Sequence, residues 1–177
     1  MPEFIMESYG VVNLENGFEW RDLSDFTQGY IEALFFTESS DPCASVDEWR
    51  AAEFQAGLEQ GQYGGSFPGE CGFSDLAPAT LARIIEDCAA FDLGMARNIQ
   101  SAMALDPGSD ELRYARESLD RRRIGQLFWY ARNGHGVSFT DDGNAQCLEN
   151  LQKAAKRSGE VWLEFGDDDL IHMVGVI

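Results

Sequence analysis

Apolar residues recur at helical spacing early in the chain. In the stretch SDFTQGYIEALFFTES they follow Ser24 or Asp25, either of which suits a helix cap, and they lie one turn apart: Phe26, Tyr30, Ile31, Leu34 and Phe35. The stretch SVDEWRAAEFQAGLEQG begins with Ser45 and has Glu48 three residues later, which is the spacing of a capping box. Both stretches predict amphipathic helices.

The middle of the chain has the strongest helical pattern. The stretch FSDLAPATLARIIEDCAAFDLGMARNIQSAM contains Pro78, which suits a first helical turn, and one apolar stripe: Leu81, Ile84, Ile85, Cys88, Phe91 and Met95. Pro107 and Gly108 then predict a break. Beyond it, Ser109 or Asp110 is the predicted cap of a further helix with an apolar face that extends to Ala131.

The C-terminal third changes character. The stretches GVSF, EVWLEFG and DLIHMVGVI predict short strands, and DGNAQCLENLQKAAKRSG predicts a helix between the first two. A compact GDDD turn predicts that Val161–Phe165 and Leu170–Val174 pair as a hairpin. We therefore predict an α+β fold in which four or five helices pack on an antiparallel sheet of about three strands, formed mainly by this third. The expected organisation is one domain over residues 1–177, with an N-terminal arm over 1–23 and a glycine-rich loop over 61–73.

The net charge of the chain says more about its function than any sequence motif does. The chain has 31 acidic and 13 basic residues, a formal net charge of −18. Residues 1–80 contain 15 of the acids and only two bases, Arg21 and Arg50, whereas residues 81–177 contain 16 acids and 11 bases. Such an excess disfavours direct binding to nucleic acid or to anionic membranes, because both attract basic surfaces. A basic protein partner is the favoured alternative to an acidic surface that only keeps the protein soluble.

The cellular compartment and the redox state of the cysteines are predicted from the absence of targeting and cysteine motifs. The longest apolar runs are far shorter than the roughly 20 residues of a membrane span, and MPEFIMESYG has no signal-peptide pattern, so a cytoplasmic location is expected. The four cysteines show no zinc or redox spacing and are predicted to be reduced thiols: Cys43, Cys71, Cys88 and Cys147. A bridge between Cys43 and Cys71 is the alternative. No cofactor is predicted.

The stretch LFWYARNGHGVSF allows two interpretations. Asn133 and Gly134 are typical of a helix end, Gly136 suits the start of a strand, and Arg132 places a cation near the helix C-terminus. In the alternative interpretation His135 is catalytic, which requires a nucleophile or a carboxylate beside it. We favour the structural interpretation.

A metal-assisted hydrolase is the enzymatic alternative. The two histidines, His135 and His172, could combine with nearby aspartates to bind a divalent ion: Asp141, Asp142, Asp167, Asp168 and Asp169. No compact ligand motif supports this hypothesis, and neither G-x-S-x-G, a Walker-type lysine loop nor G-x-G-x-x-G occurs in the sequence. The prediction is therefore a protein that is not an enzyme and holds no metal.

Acidic residues of the N-terminal half are the predicted partner-binding surface. Carboxylates on helices and loops can approximate the negative field of DNA, and so attract a groove that evolved to bind phosphates. The candidates are Glu32, Glu38, Asp41, Asp47, Glu48, Glu53, Glu59, Glu70 and Asp75. The basic cluster of Arg113, Arg116 and residues 121–123 is predicted to pair internally with this acidic half.

Four stretches resemble a widespread family of small acidic proteins of phages and other mobile elements: IEALFFTES, DLAPATLARIIEDCAAF, LFWYARNGHGVSF and GEVWLEFGDDDLIH. The family has an F-W-x-T-R-N-G-H-G-x-G-F segment, to which the turn residues Arg132, Asn133, Gly134, His135 and Gly136 correspond. In this chain Ala131 stands in place of the family's Thr, Ser138 in place of its second Gly, and Asp169 in place of the Gly of its V-x-L-Y-x-G-D-D-G turn. The resemblance implies an origin on a mobile element.

Charge and resemblance together lead to one favoured function. We expect an inhibitor of a host nucleic-acid-targeting defence complex, above all CRISPR–Cas, that binds stoichiometrically to a basic groove. The alternatives are the metal-assisted hydrolase around His135 and a phage regulatory or structural protein that is not an enzyme.

Overall fold

A computed structural model describes residues 17–40, 45–56, 65–115 and 117–175, with the backbone alone for 52–56. Six helices and two strands occur in these residues. The helices are α1 (Asp25–Glu38), α2 (Val46–Ala56), α3 (Pro78–Gly94), α4 (Ala96–Met103), α5 (Arg121–Asn133) and α6 (Gln146–Arg157). The strands are β1 (Trp162–Phe165) and β2 (Ile171–Val174), and short 3₁₀ turns cover Trp20–Asp22 and Phe73–Asp75. None of these helices is both long and apolar enough to cross a membrane.

The contacts of the chain divide it into two compact units. The hairpin unit contains β1 and β2, and its described residues are 17–22, 34–40, 45–56, 65–82 and 162–175. The helical unit comprises the described residues of 23–33 and 83–161. Helices α1 and α3 each contribute residues to both units. The expectation of a single domain stays a prediction.

Aromatic side chains fill the core of the helical unit. Phe91 of α3 stacks on Phe128 of α5 with ring centroids 4.0 Å apart, and Tyr30 of α1 meets the edge of Trp129 at 5.1 Å. Helix α6 packs against both α4 and α5. Helix α6 is amphipathic and buries Leu148, Leu151 and Ala155, which recur at the spacing of one helical face. The predicted apolar stripes of α1 and α3 therefore form a core, as expected.

The hairpin unit is built around an antiparallel pair. Its register aligns Trp162 with Val174 and Phe165 with Ile171. A two-stranded hairpin is marginal alone. The segment before α3 and the first turn of α3 support the outer edge of β2. Leu76 bridges Ile171, Ala77 N donates to Ile171 O at 3.0 Å, and Met173 N donates to Thr80 Oγ1 at 2.8 Å. The hairpin predicted from the GDDD turn is confirmed, within one residue at each strand end.

Side-chain caps explain the helix starts that the sequence predicted. Thr27 N donates to Ser24 Oγ at 3.1 Å at the start of α1. At α2 the capping box is complete, since Ser45 N donates to Glu48 Oε2 and Glu48 N donates to Ser45 Oγ. Helix α3 begins at Pro78. These starts are encoded locally, which is why they were predictable.

The helix predicted from Ser109 is wrong over its first half. Asp120 is the actual cap, since its Oδ1 accepts from Arg123 N at 2.7 Å, and α5 begins at Arg121. The preceding segment uses its backbone elsewhere, because Tyr114 N donates to Asp142 O and Glu111 O accepts from Asn144 N. A helix would require those groups for its own hydrogen bonds. The helix count also rises from four or five to six, partly because α3 ends at Gly94 and a separate α4 follows.

The strand predicted at GVSF does not form, so the described residues contain two paired strands rather than three. Here the backbone amides bond to side chains: Ser138 N donates to Asp141 Oδ2 at 2.8 Å, and Phe139 N donates to Gln152 Oε1 at 3.0 Å. These donors are not available for a ladder. Phe139 is nevertheless buried, which explains the apolar pattern that suggested a strand.

Candidate functional site

Carboxylates from separate segments of the hairpin unit converge around Cys71. Burial of the thiol, and then the negative charges of Asp75, Glu70 and Asp169, raise the pKa of Cys71 to about 12. Burial also raises the pKa of Asp75, and the charges of Glu70 and Asp169 add to this increase. Glu70 and Asp169 therefore both lie within electrostatic range of Cys71 and Asp75. The hairpin unit concentrates negative potential at this place.

The N-terminus of α2 partly compensates the negative charge concentrated near Cys71. Glu70 Oε1 accepts a hydrogen bond of 2.6 Å from Val46 N, the first residue of the helix, and Asp47 and Glu48 are exposed in the same turn. The N-terminus of a helix carries a partial positive charge and free N–H groups, so carboxylates are stabilised there. Asp75 accepts from Gly72 N at 2.7 Å in a comparable local bond.

Arg50 of α2 binds the hairpin turn between β1 and β2. Its Nη2 lies 2.8 Å from Asp169 Oδ1 and donates to Gly166 O at 3.0 Å, and its guanidinium carbon is 5.5 Å from the centre of the Phe165 ring. Asp169 has a φ of 62°, a left-handed conformation that Asp tolerates better than most residues but Gly adopts more readily. The ion pair with Arg50 holds Asp169 in this conformation.

A histidine and an aspartate form a second pair at the same turn. His172 Nε2 lies 2.9 Å and 3.1 Å from the two carboxylate oxygens of Asp168. The hydrogen bond from His172 holds the pKa of Asp168 below its usual value. Both side chains are substantially exposed. The pair closes the hairpin rather than forming a buried catalytic dyad.

Charge is distributed unequally between the two units. The described residues of the hairpin unit include twelve Asp and Glu against two Arg, a formal net of −10, whereas those of the helical unit include fourteen acids against ten bases, a net of −4. Both arginines of the hairpin unit are paired, Arg21 with Glu19 and Arg50 with Asp169. The negative charge of the described residues is therefore concentrated in the hairpin unit.

The nine predicted surface residues have different environments. Asp47, Glu48 and Glu70 are exposed in the hairpin unit. Glu38 and Asp75 are half-buried and accept hydrogen bonds, Glu38 Oε2 from Ser66 Oγ at 2.5 Å and Asp75 Oδ2 from Gly72 N at 2.7 Å. Asp41, Glu59 and the side chain of Glu53 lie outside the described residues. Whether the exposed members contact a partner stays a prediction.

Glu32 is a correction to the predicted acidic surface. It is 6% exposed, lies in the helical unit and pairs with Arg122 at 2.9 Å. Arg122 Nη2 also donates to Gln28 Oε1, and Gln126 Nε2 donates to Glu32 Oε2. A buried carboxylate requires such partners. Glu32 thus fixes α5 against α1. The basic cluster was predicted to pair with the acidic N-terminal half, and among its described residues Arg122 does so.

The RNGHG turn terminates helix α5. Gly134 has a φ of 71° and caps the helix, and His135 N donates to Tyr130 O at 3.1 Å. Asn133 Oδ1 accepts from Val161 N at 2.9 Å, which ties the turn to the residue before β1. The imidazole of His135 stacks on Trp129 with centroids 5.8 Å apart. The predicted helix end is confirmed, but an irregular segment follows it instead of a strand.

Arg132 has a structural environment that the sequence did not predict. The side chain is 2% exposed, and its guanidinium donates to Asp87 Oδ2 at 2.7 Å, Gly159 O at 2.6 Å and Tyr30 Oη at 3.2 Å. Burial lowers the pKa of Arg132, but Tyr30 and Asp87 raise it by more, so the net pKa lies above the ordinary value. Arg132 therefore remains charged and links α1, α3 and α5 with the segment after α6.

No protein-family model, curated protein or solved structure matches the chain. The resemblance to phage and mobile-element proteins accordingly stays a prediction. The described residues themselves give no metal-ligand set, since no group of three or more His, Cys, Asp or Glu side chains among them is arranged to hold an ion. His135 and His172 belong to different units. The geometry of the described residues thus gives no support to the metal-assisted hydrolase.

Two exposed acidic residues outside the predicted set lie in the C-terminal hairpin. Glu164 and Asp167 are exposed there, beside the paired Asp168 and Asp169. The compact GDDD turn was a visible signal, but sequence position assigned it to the less acidic half of the chain. Only the fold assigns this turn to the same unit as Glu70 and Asp47.

Proposed function

We propose that the chain is a stoichiometric inhibitor, and not an enzyme, that binds the basic nucleic-acid-binding groove of a host defence complex. A CRISPR–Cas effector is the first candidate target. The proposed contact is the acidic surface, which we define as the exposed carboxylates of the hairpin unit that have no ion pair within the described residues: Asp22, Asp47, Glu48, Glu70, Glu164 and Asp167.

The observation that carries this proposal is the net charge of −10 on the described residues of the hairpin unit. Neutralised carboxylates would produce no external field, and in the helical unit ten bases offset fourteen acids. In the hairpin unit the two arginines each pair with one acid, so most of the charge remains. The carboxylates that define this surface are exposed, so their charge reaches the solvent rather than being cancelled within the unit.

The expected mechanism is electrostatic mimicry of a nucleic-acid backbone. A groove lined with Lys and Arg focuses positive potential, which attracts a compact anionic protein over distances near the Debye length, about 8 Å at physiological salt. Steering acts mainly on the association rate and weakens as salt rises. Occupation of the groove then excludes nucleic acid without any bond being made or broken.

Two matched variants test the proposal. The first replaces four carboxylates of the acidic surface, D47N, E48Q, E164Q and D167N. The second replaces four exposed carboxylates of the helical unit that have no ion pair among the described residues, E86Q, D106N, E117Q and E160Q. Both change the net charge by the same amount, so only the position of the charge differs. Gln at position 48 also preserves the capping box.

Association rates with purified Cas effector and restriction complexes, measured from low to high salt, give the readout. We expect the first variant to associate about ten-fold more slowly at low salt, with a shallower salt dependence, and the second to resemble the unmodified protein. Equal losses in both variants would mean that net charge alone matters. Binding that ignores salt, or no binding to any complex, would overturn the proposal.

A further inference from the structure

A second candidate site lies in the helical unit. An open cleft of about 360 Å³ is bordered by α3, the residue that links α3 to α4, α5 and α6. This volume lies in the lower part of the range of small-molecule sites, roughly 300–1,000 Å³. Small residues on α3 and α6 leave the space open above an aromatic floor, with Ala90, Gly94 and Ala154 at the rim and Phe91 and Phe128 below.

The polar end of the cleft offers acceptors rather than donors. Arg132 lines it, but its side chain is only 2% exposed, and its N–H groups are directed to Asp87, Tyr30, Gly159 and, at 3.4 Å, Ser158. Asp87 is 30% exposed, and Arg132 occupies its Oδ2. No described residue donates to Asp87 Oδ1. Ser158 Oγ gives its proton to Ala154 O, which leaves its lone pairs to accept.

We propose that this cleft binds a small organic cation, an ammonium or amidinium group on an apolar body, with Asp87 Oδ1 accepting hydrogen bonds from the cation. The carboxylate is the charged group that a ligand can reach, because the guanidinium is enclosed by protein acceptors. Apolar contact with Met95, Phe91 and Ala154 would hold the body of the ligand. A charge-assisted hydrogen bond in a partly buried cleft discriminates strongly against a neutral or anionic ligand. This inference is independent of the proposed function.

Three probes that share a phenyl ring and differ in charge test the ligand class. Benzylamine is a cation at pH 7, benzyl alcohol is neutral and benzoate is an anion. We expect saturable chemical-shift changes at cleft residues with benzylamine, and affinities at least about ten-fold weaker for the other two probes. Comparable binding of benzyl alcohol or benzoate would overturn the proposal, as would the absence of any saturable change with benzylamine.

Two alanines of α3 locate the site. Ala90 lines the cleft, whereas its neighbour Ala89 is exposed and lies outside the lining. Ala90→Leu should occlude the space and abolish benzylamine binding, while Ala89→Leu should leave it unchanged. Neither substitution removes the ion pair of Asp87 with Arg132, and the thermal unfolding midpoint checks that both variants fold. Unchanged binding in Ala90→Leu would overturn the assignment to this cleft.

Asp87→Asn removes the negative charge of the cleft and also leaves Arg132 without its counter-ion, so the thermal unfolding midpoint is measured beside the binding. Asn can still accept a hydrogen bond from Arg132 but cannot neutralise a cation. We expect benzylamine binding to weaken by about ten-fold or more while benzyl alcohol is unaffected. Equal affinities of Asp87→Asn and the unmodified protein for benzylamine would overturn the role of this carboxylate.

Discussion

Single residues differ widely in what their charges do. Arg132 is enclosed and bonded to Asp87, Tyr30 and Gly159, whereas Arg113 forms an exposed pair with Asp110 in which both side chains are more than half exposed. Breaking a buried pair leaves an uncompensated polar group in a medium that solvates it poorly. Breaking an exposed pair costs little, because water replaces the partner.

We predict that Arg132→Met lowers the free energy of unfolding by about 3 kcal/mol, since Asp87, Tyr30 and Gly159 lose their donor together. Arg113→Met should change it by less than about 1 kcal/mol. Urea unfolding followed by tryptophan fluorescence measures both. Similar losses in the two variants would contradict the structural role of the buried guanidinium, and the RNGHG turn would need another explanation.

At the scale of elements, two glycines determine how closely α1 and α5 pack. A methyl group at Gly125 would overlap the carbonyl oxygen of Phe26, and one at Gly29 would overlap that of Arg122. The two backbones therefore touch without intervening side chains. This close approach brings Arg122 within reach of Glu32 and Gln28. Packing and ion pairing at this helix crossing depend on each other.

We predict that Gly125→Ala lowers the free energy of unfolding by about 2 kcal/mol or more, because α5 must move away from α1. Gly94→Ala is the matched control, since a methyl group there meets no atom within 4 Å and the position is helical. It should raise stability by about 0.5–1 kcal/mol through the lower entropy of the unfolded chain. A stabilising Gly125→Ala would show that the helices do not pack as described.

Elements were predictable where the sequence encodes them locally. Two helix starts are marked by hydrogen bonds within one turn, at Ser24 and at Ser45 with Glu48. Pro78 marks a third helix start, and the GDDD turn marks the hairpin. The segment from Ser109 to Asp120 was mispredicted, because its backbone pairs with residues 142 and 144, and one sequence gives no sign of distant partners. The contact of Gly125 with α1 is hidden for the same reason. A glycine within a helix pattern indicates a packing reason without naming the partner.

At the scale of the whole molecule, the fold determines which acidic residues belong to the same unit, and the sequence indicated this only in part. The acidic N-terminal half was visible in composition, but Glu32 proved to be buried, and Glu164 and Asp167 joined the acidic surface from the other end of the chain. Composition counts charges without saying which are paired. The sequence thus predicted that the candidate site is negatively charged. Which residues belong to the site became clear only from the contacts of the folded chain.

The concentration of charge should appear as a pH dependence that can be traced to Asp75. Burial raises the pKa of Asp75 in the folded state above its ordinary value of 3.8, against the hydrogen bond from Gly72 N, which lowers it, and the charges of Glu70 and Asp169 add to the increase. The folded state therefore binds a proton more readily than the unfolded state. The charged form of Asp75 consequently opposes folding at neutral pH. This unfavourable contribution is removed as the pH falls through the raised pKa.

We predict that Asp75→Asn is more stable than the unmodified protein at pH 7, because it removes the charge while Asn can still accept the hydrogen bond from Gly72 N. The advantage should shrink as the pH falls through the raised pKa of Asp75 and vanish below about 3.8. High salt should reduce it at pH 7 by screening Glu70 and Asp169. Thermal unfolding across pH measures it, with the exposed Asp106→Asn as control. If Asp75→Asn were less stable at every pH, local hydrogen bonding rather than repulsion would dominate this cluster, and the hairpin unit would bear no cost for its charge.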